Sequence, residues 1–595
     1  MFKEDIHFTD KITETVKVYT KTGEFVCTGE LKISPKEIPS VQVDYIEPFK
    51  FPKKSTHFIC SSSHQTYTLI GCNLENGIAI YPKLIIKGTK KQAQFRKFSI
   101  LLHGISEWMD NSSRFNISET EILKKREAKT FKVSIKDHNN KKFTISSKHW
   151  CNVEKETDNT QTINQRTIIT YSIKNGSFSA DEVLKKSHEI QTIFTLLLGF
   201  STNIEYIWDQ EEKSSPKSIY FVNNSTREYP YKYKEYCLTD SKYLFDNNKW
   251  PVIFKKFYEE KYVNFENLWA RVAGMFSYSG FWEFEILAYV SLIDRVTFLF
   301  ANKNKSIMNR KQFLRIQSEI KMLIKNKKHF TDQPSPQDNI DNQILDSLLE
   351  QINYLKNSDL NSFQQYFDQA LSKIDSNIKD IINLTPEQFA HLKKLRNQIA
   401  HGDTPKLNKD NNLTYEYILK SKLLILLLYW IYRDFGFTDN DFITFISNWQ
   451  HPNVREAYLN QKVIDRFFGN HHYFKISNTA LKTIKTSKPN IIILEYKPSI
   501  KRYVFRPEYS KKAANIWKFS THNLSYEGYV ASIIDPRYIK KVTYANNVYL
   551  ESSDEQYKIH MGICILNGPK HLIKSNRTQI YDEKDNQWKS DLKLK

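Results

Sequence analysis

The chain has 595 residues and a formal net charge of +21, from 87 Lys and Arg against 66 Asp and Glu. A hydrophobic content of 40% and an aromatic content of 14% exclude a disordered or fibrous chain, and the length sets an expectation of three or four domains. The basic balance favours a polyanionic partner, RNA ahead of DNA or membrane; the competing explanation is a lysine-rich composition shared across a proteome.

Six cysteines (Cys27, Cys60, Cys72, Cys151, Cys237, Cys564) are scattered without a CxxC pair. That argues against a zinc centre or a disulfide framework and suits a reducing cytoplasm. Residues 1–7 have no apolar signal core. The longest apolar run, Leu423–Tyr432, is far short of the ~20 residues of a membrane helix. A soluble, cytoplasmic protein is expected, of α+β class: a β-rich N-terminal domain (1–245), an all-α bundle (250–435) and a basic, mixed α/β C-terminal extension (436–595).

In chain order, residues 17–33 read as a hairpin around Gly23. Further strands are predicted at Thr66–Cys72, Ile78–Ile86, Phe98–His103, Phe131–Ile135, Phe143–Ser146 and Arg166–Ile173, joined by turns rich in Asn, Gly, Asp and Lys. An antiparallel sandwich or barrel-like sheet is the expected product. His103, Glu107 and Trp108 read as core and sheet-edge residues, and the region as a recognition or regulatory module. From Ala180 the apolar period becomes helical, opened by Ser179 and closed by Gly199. Short strands follow near 203–208 and 218–222, then a polar connector to Asn248.

Residues 251–435 read as helices. The 281–301 segment is apolar nearly all round, so it is expected to be buried. Glu283 and Asp294, eleven residues apart, fall within about 20° on one stripe. Buried carboxylates need partners, and Arg396 or His401 competes with Arg271 or Arg295 for that role. Helices are predicted at 311–325, 342–355 and 362–374, with 331–341 as an exposed loop. The apolar run Leu423–Trp430 must pack on two sides, within the bundle or across a twofold axis.

Between them lies the most punctuated stretch, Pro386 to His401. Thr385 is an N-cap, Pro386 sits at the first helical position and Gln388 completes a capping box. Gly402 supplies a left-handed stop and Pro405 prevents resumption. At about 100° per residue, Asn397 and His401 share a face while Arg396 lies about 140° from His401. A long guanidinium can swing toward the imidazole at a helix end, gathering a cation, an amide and a titratable base suited to a phosphodiester. Spacing alone is weak evidence. Arg96 with His103, and Arg466 with His471 and His472, have similar separations but lack the caps. The structural alternative is an Arg bonded to a carboxylate and a His that merely closes the helix.

Arg396-Asn-x3-His-Gly-Asp403 at a helix end, followed by a strongly apolar helix, resembles the HEPN nuclease motif. The wider chain resembles ApeA-like anti-phage proteins through Thr66–Cys72, Phe98–Trp108 and Phe281–Arg295. The resemblance spans roughly residues 20–435. It implies a metal-independent RNase without cofactor or metal, dimeric through the helical domain, with Arg396, Asn397 and His401 catalytic. It further implies a defence role with RNA, tRNA among the candidates, as substrate and a phage-derived trigger. Glu283 and Asp294 are the expected supporting carboxylates, and Lys393 and Lys394 the nearest RNA-binding cations. The non-catalytic alternative is a helical dimerisation and RNA-binding sensor.

Beyond residue 435 the resemblance stops. Residues 475–518 carry many Lys and Arg, among them Lys501, Arg502 and Arg506, interleaved with Tyr496, Tyr503, Phe505 and Trp517. This reads either as a stacking surface for single-stranded RNA or as a solvated lysine-rich face.

Overall fold

The computed structural model describes residues 6–46, 57–75, 78–90, 92–109, 115–117, 122–124, 128–157, 160–210, 215–223, 234–300, 308–328, 335–355, 362–403, 405, 413–469, 471–517, 525–559, 562–569, 577–582 and 587–590. The chain divides into two compact units, Met1–Leu459 and Asn460–Lys595.

The first unit opens with one antiparallel ladder of fourteen strands. Its order is Lys132–Lys136, Lys142–Thr157, Thr160–Ser172, Lys97–Leu102, Ile204–Asp209, Lys217–Tyr220, Leu84–Lys87, Thr66–Ile70, His57–Ser61, Ile12–Thr20, Phe25–Ile33, Ser40–Ile46, Ala79–Tyr81 and Asn73–Glu75. Strict alternation makes the outer strands: in Lys132–Lys136 only Val133 and Ile135 point inward. The central Lys97–Leu102 is buried from Phe98 onward, as a strand covered on both faces must be.

The predicted strands are present with two physical differences. The 78–86 run is split into Ala79–Tyr81 and Leu84–Lys87, because Pro82 has no N–H to give a ladder. The short 143–146 strand extends to Lys142–Thr157, carried by its long pairing with Thr160–Ser172. The 224–233 part of the polar connector lies outside the described residues.

The Ala180–Leu198 helix packs against the Lys97–Leu102 strand. Ser179 and Glu182 close a reciprocal capping box, and Gly199 ends the helix at φ 76°. His451, only 1% exposed, donates from Nε2 to the Gly199 carbonyl at 3.1 Å. A Cβ on residue 199 would lie 2.4 Å from that nitrogen. Burial pushes the His451 imidazole down to about 4.

The unfolded chain, with an ordinary histidine near 6.5, therefore binds more protons than the fold between those values. The stabilisation is complete above pH 6.5 and is lost as pH falls toward 4. A shift of this size corresponds to about 3 kcal/mol. Denaturant titrations of wild type and His451→Gln from pH 7 to 4.5 should show a shallower acid loss in the variant. Parallel curves would remove His451 from the acid response.

The helical part of this unit centres on Trp282–Phe300, which packs on Phe363–Ser372, Pro386–Ala400 and Leu413–Asp434. The expected all-round burial of the first of these helices does not occur. Phe281 is 73% exposed, Phe284 55% and Phe298 36%, since neighbouring helices cover only one side. Leu423–Trp430 shows the opposite outcome. Every one of its side chains is buried within this chain's own packing, so that run is no free dimer surface.

The 331–341 segment is not a loop throughout. A Ser335–Asp338 capping box with Pro336 at the first position starts a helix that runs from Pro336 to Asn353. Residues 331–334 lie outside the described residues. No described helix is long and apolar enough to cross a membrane.

The second unit is mixed α/β. Its six-stranded sheet runs Arg502–Phe505, Ile492–Lys497, Ile563–Leu566, Lys541–Ala545, Arg577–Asp582, Gln587–Ser590, with the second and third strands parallel. His472–Lys475, Val548–Glu551 and Gln556–Ile559 form a separate small sheet. The architecture is thus the α+β one expected from the sequence, with a β-rich N-terminal region, a helical region and a mixed C-terminus.

Candidate active site

The motif helix, Pro386–Ala400, is held at both ends by its own sequence. Gln388 N–H donates to Thr385 Oγ1, and Thr385 N–H to Gln388 Oε1, both at 3.2 Å. At the other end His401 is the C-cap and Gly402 adopts φ 76°. Gly402 N–H donates to the Ile399 carbonyl at 3.1 Å and Asp403 N–H to the Gln398 carbonyl at 2.9 Å. This pair of bonds is a Schellman closure, which needs the left-handed glycine. Part of the His-Gly-Asp signature therefore encodes a helix stop, and that stop fixes where His401 sits.

The inward face carries Phe389, Leu392 and Leu395, all buried, with Phe389 stacked on Phe367 at 3.7 Å. His391 reaches both oxygens of Glu416, at 2.9 and 3.1 Å, and Glu416 is 1% exposed. Lys422 Nζ donates to the Asn383 carbonyl at 2.7 Å and to Gln388 Oε1 at 3.3 Å. Lys420 bridges to Glu285 at 2.8 Å. These polar ties lock the motif helix and Trp282–Phe300 onto Leu413–Asp434. The sequence reading missed the His391–Glu416 pair. Its available signal was a lone carboxylate near the start of an otherwise apolar helix, which must find a partner if buried.

The other end of the motif helix presents the chemistry. Arg396 is half-buried; its Nη1 donates to Asn397 Oδ1 at 3.2 Å, and its Nη2 lies 3.9 Å from Asp294 Oδ2. Partial burial raises the Asp294 carboxyl above the ordinary carboxylate value, opposed by the Arg396 charge. At 40% and 35% side-chain exposure this contact contributes less than about 1 kcal/mol. It steers the guanidinium without saturating it. Asn397 and His401 are exposed, and among the described residues the His401 side chain makes no hydrogen bond. Both ring nitrogens are thus open to a substrate.

Glu283, the other expected carboxylate, makes no hydrogen bond or ion pair to Arg396 or His401 among the described residues. Its Oε2 is buried without a hydrogen-bond partner. Lys393 donates to Gln364 Oε1 at 2.7 Å and lies over the Phe389 ring, whereas Lys394 is exposed.

The two competing Arg/His pairs are differently placed. His103 Nδ1 is 2.7 Å from Glu205 Oε1, and Trp108 beside it is core, its Nε1 donating to the Thr239 carbonyl. Arg466 is paired with Glu551, and His471 lies 3.4 Å from the buried Asp465. In the second unit Arg506 gives its guanidinium to Glu495, with Nε at 2.6 Å. That leaves Lys501 and Arg502 as the exposed cations of the 501–506 stretch. Phe505 is buried, and Tyr503 packs edge-on against Phe474 at 4.7 Å. The Trp517 side chain lies outside the described residues. Among the described residues, no group of three or more His, Cys, Asp or Glu is placed to hold a metal ion.

A family model described as Apea-like HEPN matches residues 299–441, which contain the whole motif helix. The matched domain is thus a HEPN domain, of the ribonuclease type found in phage defence, and the Arg-Asn-x3-His helix end lies within it. A second family model, ApeA N-terminal domain 1, matches residues 15–259. The two together cover about two thirds of the chain, and the chain belongs to the ApeA-like HEPN proteins. No curated protein and no solved structure matches it.

Proposed function

We propose that this chain is a metal-independent endoribonuclease that cuts RNA through its own 2′-hydroxyl during an abortive response to phage. The observation that carries this reading is that one fixed helix end presents both an unsaturated Arg396 and an exposed His401 whose side chain makes no hydrogen bond among the described residues. The 2′-oxygen attacks phosphorus, the P–O5′ bond breaks, and the 2′-hydroxyl proton ends on the departing 5′-oxygen. The products are a 2′,3′-cyclic phosphate and a 5′-hydroxyl. His401 moves a proton, as base at the 2′-hydroxyl or acid at the leaving oxygen. Arg396 takes the phosphate and its developing charge with its planar fork. Asn397 orients phosphate or imidazole, Asp294 steers Arg396, and Lys394, Lys501 and Arg502 are the available RNA-binding cations.

The non-catalytic alternative requires Arg396 and His401 to be buried with saturated partners; their exposure supports catalysis instead. We place the enzyme in the cytoplasm, with tRNA as one substrate class and a phage product as trigger. We also place two copies together through the helical domain. The largely exposed Phe281 and Phe284 support that contact in place of Leu423–Trp430, because large apolar side chains left in water mark interaction surfaces.

Purified protein incubated with total cellular RNA should cleave it equally with and without EDTA. Intact RNA, or cleavage that requires added metal, would overturn the reading. His103→Ala and His471→Ala should cleave within a few-fold of wild type. Loss of cleavage in either folded variant would move the site away from residues 396–401.

A further inference from the structure

A cavity of about 950 Å³ opens in the β-rich part of the first unit, far in sequence from the HEPN motif. It lies where five adjacent strands begin or end. Lys97 pairs with Ser172 in register, Phe98 with Asp209, and Asp209 with Lys217. Two backbone bonds fix its rim: Ile173 N–H to the Arg96 carbonyl and Gln210 N–H to the Lys97 carbonyl, each at 3.0 Å.

Among the described residues that line the cavity, the charged ones are all cations: Lys90, Arg96, Lys97, Lys174 and Lys217. Two of the five are already engaged. Lys90 forms a buried ion pair with Asp209, and Lys217 donates to the Thr89 carbonyl at 2.9 Å. Arg96, Lys97 and Lys174 are exposed and have no carboxylate partner among the described residues. The rest of the lining is mostly hydroxyl and amide, including Ser172, Ser177, Gln94 and Gln210.

Three unneutralised cations around one concavity repel each other and favour an anion between them. The volume is at the upper end of the roughly 300–1,000 Å³ of small-molecule sites, which one inorganic phosphate would fill only in small part. The cations and hydrogen-bond donors on this lining suit phosphate oxygens.

We propose that this cavity binds a small molecule carrying two or more linked phosphates, of the nucleoside polyphosphate class. Arg96, Lys97 and Lys174 hold the phosphate chain, and the Gln and Ser side chains meet the remainder. The phosphate chain could equally belong to the 5′-triphosphate end of an RNA, so the test includes both sources.

Calorimetry and thermal melting on the full-length protein, with tripolyphosphate, ATP and a short 5′-triphosphorylated RNA as probes, read binding without reference to RNA cleavage. Failure here is therefore distinct from failure of the nuclease reading. ATP and tripolyphosphate should bind, raise Tm by about 2–5 °C near 100-fold above Kd, and weaken as salt is added. Arg96→Glu/Lys174→Glu should weaken binding at least tenfold. Lys11→Glu/Lys17→Glu, which changes the same net charge on exposed side chains elsewhere in this unit, should bind as wild type. Where charge reversal disturbs melting, Arg96→Gln/Lys174→Gln replaces it. Binding only by the triphosphorylated RNA would transfer the site to an RNA end. No binding by any probe, or equal loss in both double variants, would overturn the proposal.

Discussion

Arg396→Ala is expected to slow RNA cleavage by about 10²–10³-fold, the cost of removing a group that stabilises charge developing on a phosphate. Its ground-state contacts are slight: one bond to the neighbouring Asn397 and a 3.9 Å approach to Asp294. The folded protein should therefore lose no more than about 1 kcal/mol of stability. Arg396→Lys separates charge from geometry. It keeps the cation and loses the planar fork, and should remain impaired at least tenfold. Initial rates on a defined RNA, with melting curves of each variant, check this. A lysine variant with wild-type rates would reduce Arg396 to a general electrostatic role.

His391→Ala should give the opposite phenotype from the same helix. Among the described residues, the hydrogen bonds to the Glu416 carboxylate come from His391, and Glu416 is 1% exposed. Truncating the histidine leaves a buried acid unpartnered, a change that costs about 3 kcal/mol. The double variant His391→Leu/Glu416→Leu should recover much of that, since an apolar pair avoids the stranded carboxyl. Denaturant midpoints measure both. If His391→Ala melts with wild type, the pair is not what fastens the motif helix to its neighbour.

Much of the site was legible because local chemistry writes helix ends plainly. Thr385, Pro386, Gln388 and Gly402 each act on backbone groups within four residues, so their positions alone set the helix and place His401 at its end. Ser335-Pro336 carries the same kind of signal, hidden among polar neighbours that favour a loop. What remained hidden depends on partners distant in sequence. The apolar Trp282–Phe300 helix announces that it must be covered, but not which face its neighbours leave bare. Arg506 reads as a free cation until Glu495, eleven residues away, is seen to occupy it. Arg96 read only as half of an unconvincing Arg/His pair, because the cavity it lines is assembled from five strands.

The most direct measurement compares wild type and His401→Ala on one RNA in EDTA, with product 3′ ends resolved and both proteins melted in parallel. Loss of one proton-transfer group costs about 10²–10⁴ in rate, while loss of an exposed side chain at a helix end costs about 1 kcal/mol or less. Wild type should yield 2′,3′-cyclic phosphate ends and the variant almost no product at a nearly unchanged melting temperature. Near-normal cleavage by folded His401→Ala protein would contradict the assignment of catalysis to this helix end.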